Sequence, residues 1–336
     1  LLKEKDANLT GDDIGIGLES KALKSEHLTP EEKLIRELLQ NIIDRIRKGK
    51  DTVKCVIRIR EFYGKDKEDF LAALGIDQLI PNLGASEESR YKRAAKEVLA
   101  KESILVLYVE DYHTEGLNGP EYSHQVKGDG SRNYSALVRS SARSRQSYEG
   151  SGGQHGVGKS VQTTSSDVGT VFYYSNPDDH DENRLFGVCT IDSHTFNGPK
   201  TGKATFGVKA WEEDDFKDHT RESVRGSDAD RIAGQLGFRE RGPDDTGTSI
   251  CIPVFDIPGS KVRDPVKLAK QFHEDIRKWF APALSGATTT KLEAYIQSPE
   301  DPEPVSYRED GERLRNPGES FRWGGASPRG DTAFLC

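Results

Sequence analysis

The chain has 336 residues, of which 31% are charged and 34% hydrophobic, and its formal net charge is −8. This length allows one large domain or two ordinary ones. A protein that grips nucleic acid over its whole surface is normally basic, so the negative charge restricts any DNA contact to a local patch. The sequence shows neither a secretory leader nor a long apolar run, so we expect no membrane association. The four cysteines form no C-x-x-C pair, which favours a reduced, cytoplasmic protein.

The first strong structural signal is a helix start that follows a polar N-terminal arm, residues 1–28. Thr29 can cap the helix, Pro30 suits its first position, and Glu32 completes a capping box. We expect this helix to extend to about residue 48. Its apolar residues recur at helical spacing and define one buried face: Leu34, Ile35, Leu38, Leu39, Ile42, Ile43 and Ile46.

The rest of the chain predicts a helix, an apolar strand, a long polar segment, and then a run of strands with one more helix. The apolar strand, residues 103–109, has the composition of a central strand. The polar segment, residues 112–151, is long enough to be functional, as a lid is. The other predicted elements are helices at 88–101 and 266–280 and strands at 168–174, 185–191, 204–211, 248–255 and 291–297. This order favours an α+β fold in the form of a two-layer α/β sandwich, with a second domain starting near residue 285.

A polar stripe lies on the first helix, opposite its apolar face. Glu37, Asn41 and Asp44 stand at positions i, i+4 and i+7. Such a stripe is often only a solvated surface. A glutamate one turn before an asparagine also supplies a base for a water molecule and an oxygen ligand for magnesium on one rigid surface.

Two further positions carry polar groups at strand ends. Asp111 follows the apolar strand, where its carboxylate could accept a hydrogen bond from an exocyclic amine or simply cap a turn. Thr248 follows Gly247 at the start of a later strand and could bond a ligand or a neighbouring carboxylate.

The glycine-rich segment that ends in Gly-Lys-Ser has two incompatible interpretations. Gly153 to Ser160 satisfy the P-loop pattern G-x-x-x-x-G-K-S, and Asp192 could serve as a Walker B aspartate. The same residues could instead form an H-G-V-G turn that opens a helix, whose N-terminus binds phosphate. A P-loop needs a buried strand immediately before its first glycine, and residues 139–151 are too polar to form one. The second interpretation is therefore favoured.

The stripe Glu37-x-x-x-Asn41-x-x-Asp44 resembles the N box of the GHKL ATPases, the superfamily of gyrase B, the 90-kDa heat-shock chaperones, histidine kinases and MutL. Three later segments resemble the remaining motifs of that family, in family order: Asp111 with Gly116-Leu117, residues 152–158, and Gly247-Thr248. One departure is that His113 stands where the family's first glycine is expected and Gly116 comes one residue late.

The resemblance implies a Bergerat-type ATP-binding domain over residues 29–284, with an ATP lid at 117–153 and a second domain or tail at 285–336. Glu37 would activate water, Asn41 would hold magnesium, and Asp111 would accept the adenine amino group with support from Thr248. The other residues implied to line the nucleotide site are Asp44, Gly116, Leu117, Gly153, Gln154, His155, Gly156, Val157, Gly158, Lys159 and Ser160.

The implied activity is magnesium-dependent ATP hydrolysis that drives lid closure and homodimer formation. The resemblance leaves open whether this cycle acts on DNA, on a partner protein or within a defence or repair complex. Two alternatives also remain open at this stage. One is the P-loop NTPase, and the other is an ATP-binding switch without significant turnover.

Overall fold

The computed structural model describes residues 3–4, 28–75, 90–122, 125, 131, 133–139, 157–194, 201–209, 221–307 and 313–315. Within these residues the chain forms six α-helices: α1 (Pro30–Ile43), α2 (Gly64–Leu74), α3 (Arg90–Ala100), α4 (Val157–Thr164), α5 (Gly226–Gln235) and α6 (Pro265–Leu284). A short π-helical segment spans Ser135–Arg139. The strands are β1 (Lys3–Glu4), β2 (Thr52–Tyr63), β3 (Ser103–Tyr112), β4 (Thr170–Asn176), β5 (Arg184–His194), β6 (Thr201–Phe206), β7 (Val208–Lys209), β8 (Arg221–Glu222), β9 (Val224–Arg225), β10 (Gly247–Ile252), β11 (Lys291–Gln297), β12 (Val305–Tyr307) and β13 (Arg313–Arg315).

Eleven of these strands form one mixed sheet. Its order is β1-β6-β5-β4-β10-β3-β2-β11-β12-β13, with β9 paired to β5, while β7 and β8 form a separate pair. Among the strands described, β11 and β2 make the one parallel pair. The α+β class expected from the sequence is therefore confirmed. No helix within the described ranges has both the length and the apolar character needed to cross a lipid bilayer.

The capping box of α1 forms as predicted. The Thr29 hydroxyl accepts from the Glu32 amide at 3.2 Å, and Glu32 Oε2 accepts from the Thr29 amide at 2.8 Å. The helix ends at Ile43, earlier than the expected residue 48. It ends there because Ile46 leaves the helical path and forms a β-bridge with Thr114.

Helices cover both faces of the sheet, which corrects the expected two layers. On one face α1, α4 and α6 pack over side chains of β2, β3, β4 and β10, including Leu38, Val161, Phe272, Ile57, Val109 and Ile250. On the other face α2, α3 and α5 form a second core, which includes Phe70, Val98, Ala233, Val106 and Tyr174. The reason lies in the central strands, since every residue of β4 is buried and both of its faces need cover.

The sequence did not predict β2, because charged residues interrupt its apolar pattern. Arg58 in the middle of β2 is nonetheless buried, since its Nε donates to Glu110 Oε1 of β3 at 2.9 Å. Strand β11, which we expected to open a second domain, pairs with β2 from Lys291 to Gln297. That segment therefore extends the same sheet.

Candidate functional site

The candidate site centres on Asp111, at the end of β3. The antiparallel register of β3 and β10 brings Thr248 beside this carboxylate, which is only 8% exposed. Its Oδ1 accepts from the Thr248 amide at 2.9 Å and from the Thr114 hydroxyl. In the part of the chain that the structure describes, no group donates to Oδ2. Two described donors therefore hold one oxygen of the Asp111 carboxyl.

The surroundings of Asp111 act on the pKa of its carboxyl in opposite directions. Burial raises the pKa of the Asp111 carboxyl, whereas the guanidinium of Arg241 and the hydrogen bonds from Thr114 and Thr248 lower it. A carboxylate in such surroundings accepts a hydrogen bond strongly from an N–H donor and repels a carbonyl oxygen.

Two glycines allow close backbone approaches in this region, Gly247 to Asp111 and Gly116 to the end of β4. Gly247 has φ +145°, and a Cβ there would lie 2.3 Å from the Asp111 carbonyl oxygen. Gly116 has φ +66°, and its Cβ would lie 2.8 Å from the carbonyl oxygen of Asn176. Neither position can carry a side chain without displacing its neighbour.

The hydroxyl of Ser175, near the end of β4, joins the two glycine segments. It accepts from the Leu117 amide at 2.9 Å and donates to the Gly247 carbonyl at 2.7 Å. The Thr248 hydroxyl lies 3.3 Å from the Ser175 hydroxyl oxygen. Leu117, Gly247 and Thr248 are thus tied together on one side of the Asp111 carboxylate.

His113 occupies the position of the missing glycine and adopts a glycine-like backbone. Its φ is +64°, in the left-handed region that few residues other than glycine favour. Its amide donates to the Thr246 carbonyl at 3.0 Å, and its Nδ1 lies 3.2 Å from the Thr52 carbonyl oxygen. The sequence departs from the expected pattern here, but the backbone of His113 has the conformation that glycine favours.

The three residues of the α1 stripe differ in exposure. Glu37 is half-buried, and this burial raises its pKa, opposed by the neighbouring Arg36. Asn41 and Asp44 are exposed, and Asp44 Oδ1 accepts from Gln40 Nε2 at 2.7 Å. Glu37 is therefore the half-buried carboxyl of the stripe.

Backbone hydrogen bonds fasten the segment after α1 to the segment that follows β3. The Glu115 amide donates to the Arg45 carbonyl, and the Arg47 amide donates to the His113 carbonyl, both at 2.9 Å. The bridge between Ile46 and Thr114 lies between these two bonds. This arrangement ties the α1 stripe to the same turn that follows Asp111.

Helix α4 packs against α1 and begins within the glycine-rich segment. Its first residues are Val157, Gly158, Lys159 and Ser160, whose side chains lie outside the described part of the structure, as do Gly153, Gln154, His155 and Gly156. The C-terminal half of α4 is fixed to the sheet, because the buried Gln162 Oε1 accepts from the Tyr173 hydroxyl at 2.8 Å. The first amides of a helix have no partner within that helix, and such groups suit an anion.

The described parts of the expected lid, residues 117–153, are held against the sheet. Arg184, which is 1% exposed, donates to the Leu117 and Gly119 carbonyls at 2.7 and 2.9 Å and to Glu121 at 3.0 Å. Tyr134 is also buried and lies under the Arg184 guanidinium. The start of this segment is therefore anchored.

Sequence reasoning missed three polar residues of the site. Thr114, three residues after Asp111, carried a local signal, since hydroxyls often bond a nearby turn aspartate. Ser175 was recognisable only as a polar residue that ends an apolar strand. Arg241 carried no local signal, because its partners lie far away in sequence or in an ordinary turn.

No group of three or more His, Cys, Asp or Glu side chains within the described ranges is arranged to hold a metal ion. Comparisons of the chain with protein-family models and with curated protein sequences find no match.

Proposed function

We propose that the chain is an ATP-binding, magnesium-dependent ATPase domain of the GHKL type. The observation that supports this most strongly is the geometry at Asp111. A buried carboxylate has one oxygen fixed by the Thr248 amide and the Thr114 hydroxyl, and the other oxygen receives no bond from any described residue. Such an oxygen fits a base that presents an amino group, as adenine does at its 6-position.

Three motif segments, widely separated in sequence, meet on one side of the sheet, which supports the same assignment. Helix α1, the turn after Asp111 and helix α4 each contribute a side chain to the same core, namely Leu38, Leu117 and Val161. On this basis we infer a Bergerat-type arrangement for the layer of α1, α4 and α6, to which α2, α3 and α5 add a further layer.

In the proposed chemistry, α4 and α1 have separate roles. The N-terminus of α4 would bind the phosphates, and Asn41 would hold magnesium together with them. Magnesium, when bound, neutralises charge that develops on the phosphates. Glu37 would accept the proton of the attacking water, a role that its raised pKa suits. A domain that only binds ATP has no need of a base at this position.

The P-loop alternative is less compatible with the sheet. A P-loop domain builds its phosphate loop between strands of a parallel sheet. Among the described strands, those that precede and follow α4 are β3 and β4, and both pair antiparallel with β10.

Equilibrium binding of magnesium-ATP to the parent chain and to Asp111→Asn tests the proposal. An amide at this position loses the charge and half of the acceptor capacity, so we expect affinity to fall about tenfold or more. Asp228→Asn is the matched control, because Asp228 is exposed on α5, on the other side of the sheet. Parent-like affinity in Asp111→Asn, or a parent that does not bind ATP, would contradict the proposal.

ATP-dependent association tests the proposed cycle separately. We expect a monomer without nucleotide and a homodimer with a non-hydrolysable ATP analogue, measured by analytical ultracentrifugation. An unchanged sedimentation profile would remove dimerisation from the proposal but not ATP binding.

A further inference from the structure

Arg241 lies between α5 and β10 and is almost fully buried, with 3% of its surface exposed. Its guanidinium makes three hydrogen bonds. Nε donates to Ser249 Oγ at 3.0 Å, Nη1 donates to the Asp245 carbonyl at 2.9 Å, and Nη2 donates to the Asp111 carbonyl at 2.7 Å. The three acceptors belong to β10, to the turn before it and to the end of β3.

These contacts fix the guanidinium plane and, through it, the three segments. A planar group with three bonded nitrogens cannot rotate without breaking at least one bond. The ring of Tyr112 packs against the guanidinium at 4.6 Å from its centroid. The turn is held from its other side as well, because Asn176 Nδ2 donates to the Gly242 carbonyl at 2.8 Å.

Asp111 is consequently held at both its main chain and its side chain. Arg241 holds the carbonyl and the Thr248 amide holds Oδ1, so the direction of Oδ2 depends on both bonds. Gly247 adds a steric limit, since a Cβ at this position would collide with the Asp111 carbonyl oxygen. Loss of Arg241 would remove this donor from the buried Asp111 carbonyl and allow the end of β3 to turn.

We propose that Arg241 is a positioning residue that aims the Asp111 carboxylate at the nucleobase and thereby sets the preference for a base with an exocyclic amino group. This inference rests on the proposed ATP-binding function. Arg241 itself does not contact the nucleotide, so its effect should appear in discrimination between bases and not only in overall stability.

The experiment measures dissociation constants for magnesium-ATP and for inosine triphosphate, whose base carries an oxygen where adenine carries the amino group. The parent should prefer ATP. Arg241→Met should weaken ATP binding about tenfold and change binding of inosine triphosphate much less, so that the ratio approaches one. Arg241→Lys keeps the charge and one donor and should recover part of the ratio.

Arg239→Met is the matched control. Arg239 lies two residues away on the same connection but pairs with Glu110 at 3.4 Å, on the opposite face of β3 from Asp111. We expect this variant to keep the parent ratio even where it lowers the melting temperature. An unchanged ratio in Arg241→Met, with or without a loss of stability, would overturn the proposal.

Ser249→Ala keeps the test decisive if Arg241→Met does not fold. It removes one of the three acceptors and leaves the charge of Arg241 in place. Ser249→Ala and Arg241→Lys should both lower the ratio, and parent-like ratios in both would overturn the proposal. A parent that binds neither nucleotide would instead overturn the proposed function, and this inference with it.

Discussion

Replacing Gly247 with alanine should disrupt the candidate site through a direct collision. The new Cβ would lie 2.3 Å from the Asp111 carbonyl oxygen and 2.6 Å from Asp111 Oδ1. Two costs combine at this position. A side chain forced to positive φ costs about 1–3 kcal/mol, and overpacking in a closely packed region costs about 1–3 kcal/mol more. We therefore expect the free energy of unfolding to fall by roughly 2–6 kcal/mol and ATP binding to be lost.

Gly49→Ala separates the two costs. Gly49 also has positive φ, +86°, but a Cβ there would meet nothing within 4 Å. Urea unfolding of the two variants should show that Gly49→Ala loses only the backbone contribution, about 1–3 kcal/mol, and retains parent-like ATP affinity. If Gly247→Ala lost no more stability than Gly49→Ala and still bound ATP, the close approach of Gly247 to Asp111 would be refuted.

Two further predictions concern stability away from Asp111. Burial raises the pKa of Asp275 to about 6, with a further contribution from Glu32, so protonation favours the folded state. This stabilisation of the folded state is complete below about pH 4 and is lost as the pH rises through about 6. The free energy of unfolding of Asp275→Asn should therefore exceed that of the parent by about 1–3 kcal/mol at pH 7 and match it near pH 4. Urea titrations at the two pH values measure this, and an equal difference at both would contradict it. Thr29→Ala should lower the free energy of unfolding by about 1 kcal/mol through loss of the α1 cap, whereas Thr29→Ser should retain it, and equal losses in the two variants would contradict the capping role.

The elements that sequence predicted well depend on local patterns. The capping box of α1 needs only Thr29 and Glu32, three residues apart, and it forms as expected. The apolar run of β3 identified a central strand that ends in Asp111. The predicted strands after the glycine-rich segment correspond to β4, β5, β6 with β7, and β10, with ends displaced by a few residues.

The elements that sequence missed depend on long-range partners. Arg58 made β2 look like a solvated segment, and only the pairing with Glu110 of β3 explains its burial. In the second helical layer, α3 was predicted at residues 88–101 but α2 and α5 were missed. Helix α5 has too few apolar residues for the sequence to indicate a buried face. Arg241 is the clearest case within the site, because its bond to Asp111 spans 130 residues of sequence.

The proposed activation of water by Glu37 can be tested by comparing one variant with the parent chain. Magnesium-dependent ATP hydrolysis and equilibrium ATP binding should be measured side by side for the parent and for Glu37→Ala. We predict that the variant binds ATP with parent-like affinity and that its rate of ATP hydrolysis falls by about a hundredfold or more, as expected for removal of a general base. Parent-like hydrolysis in Glu37→Ala would contradict the proposed role of Glu37 and favour the P-loop interpretation of the segment around Lys159.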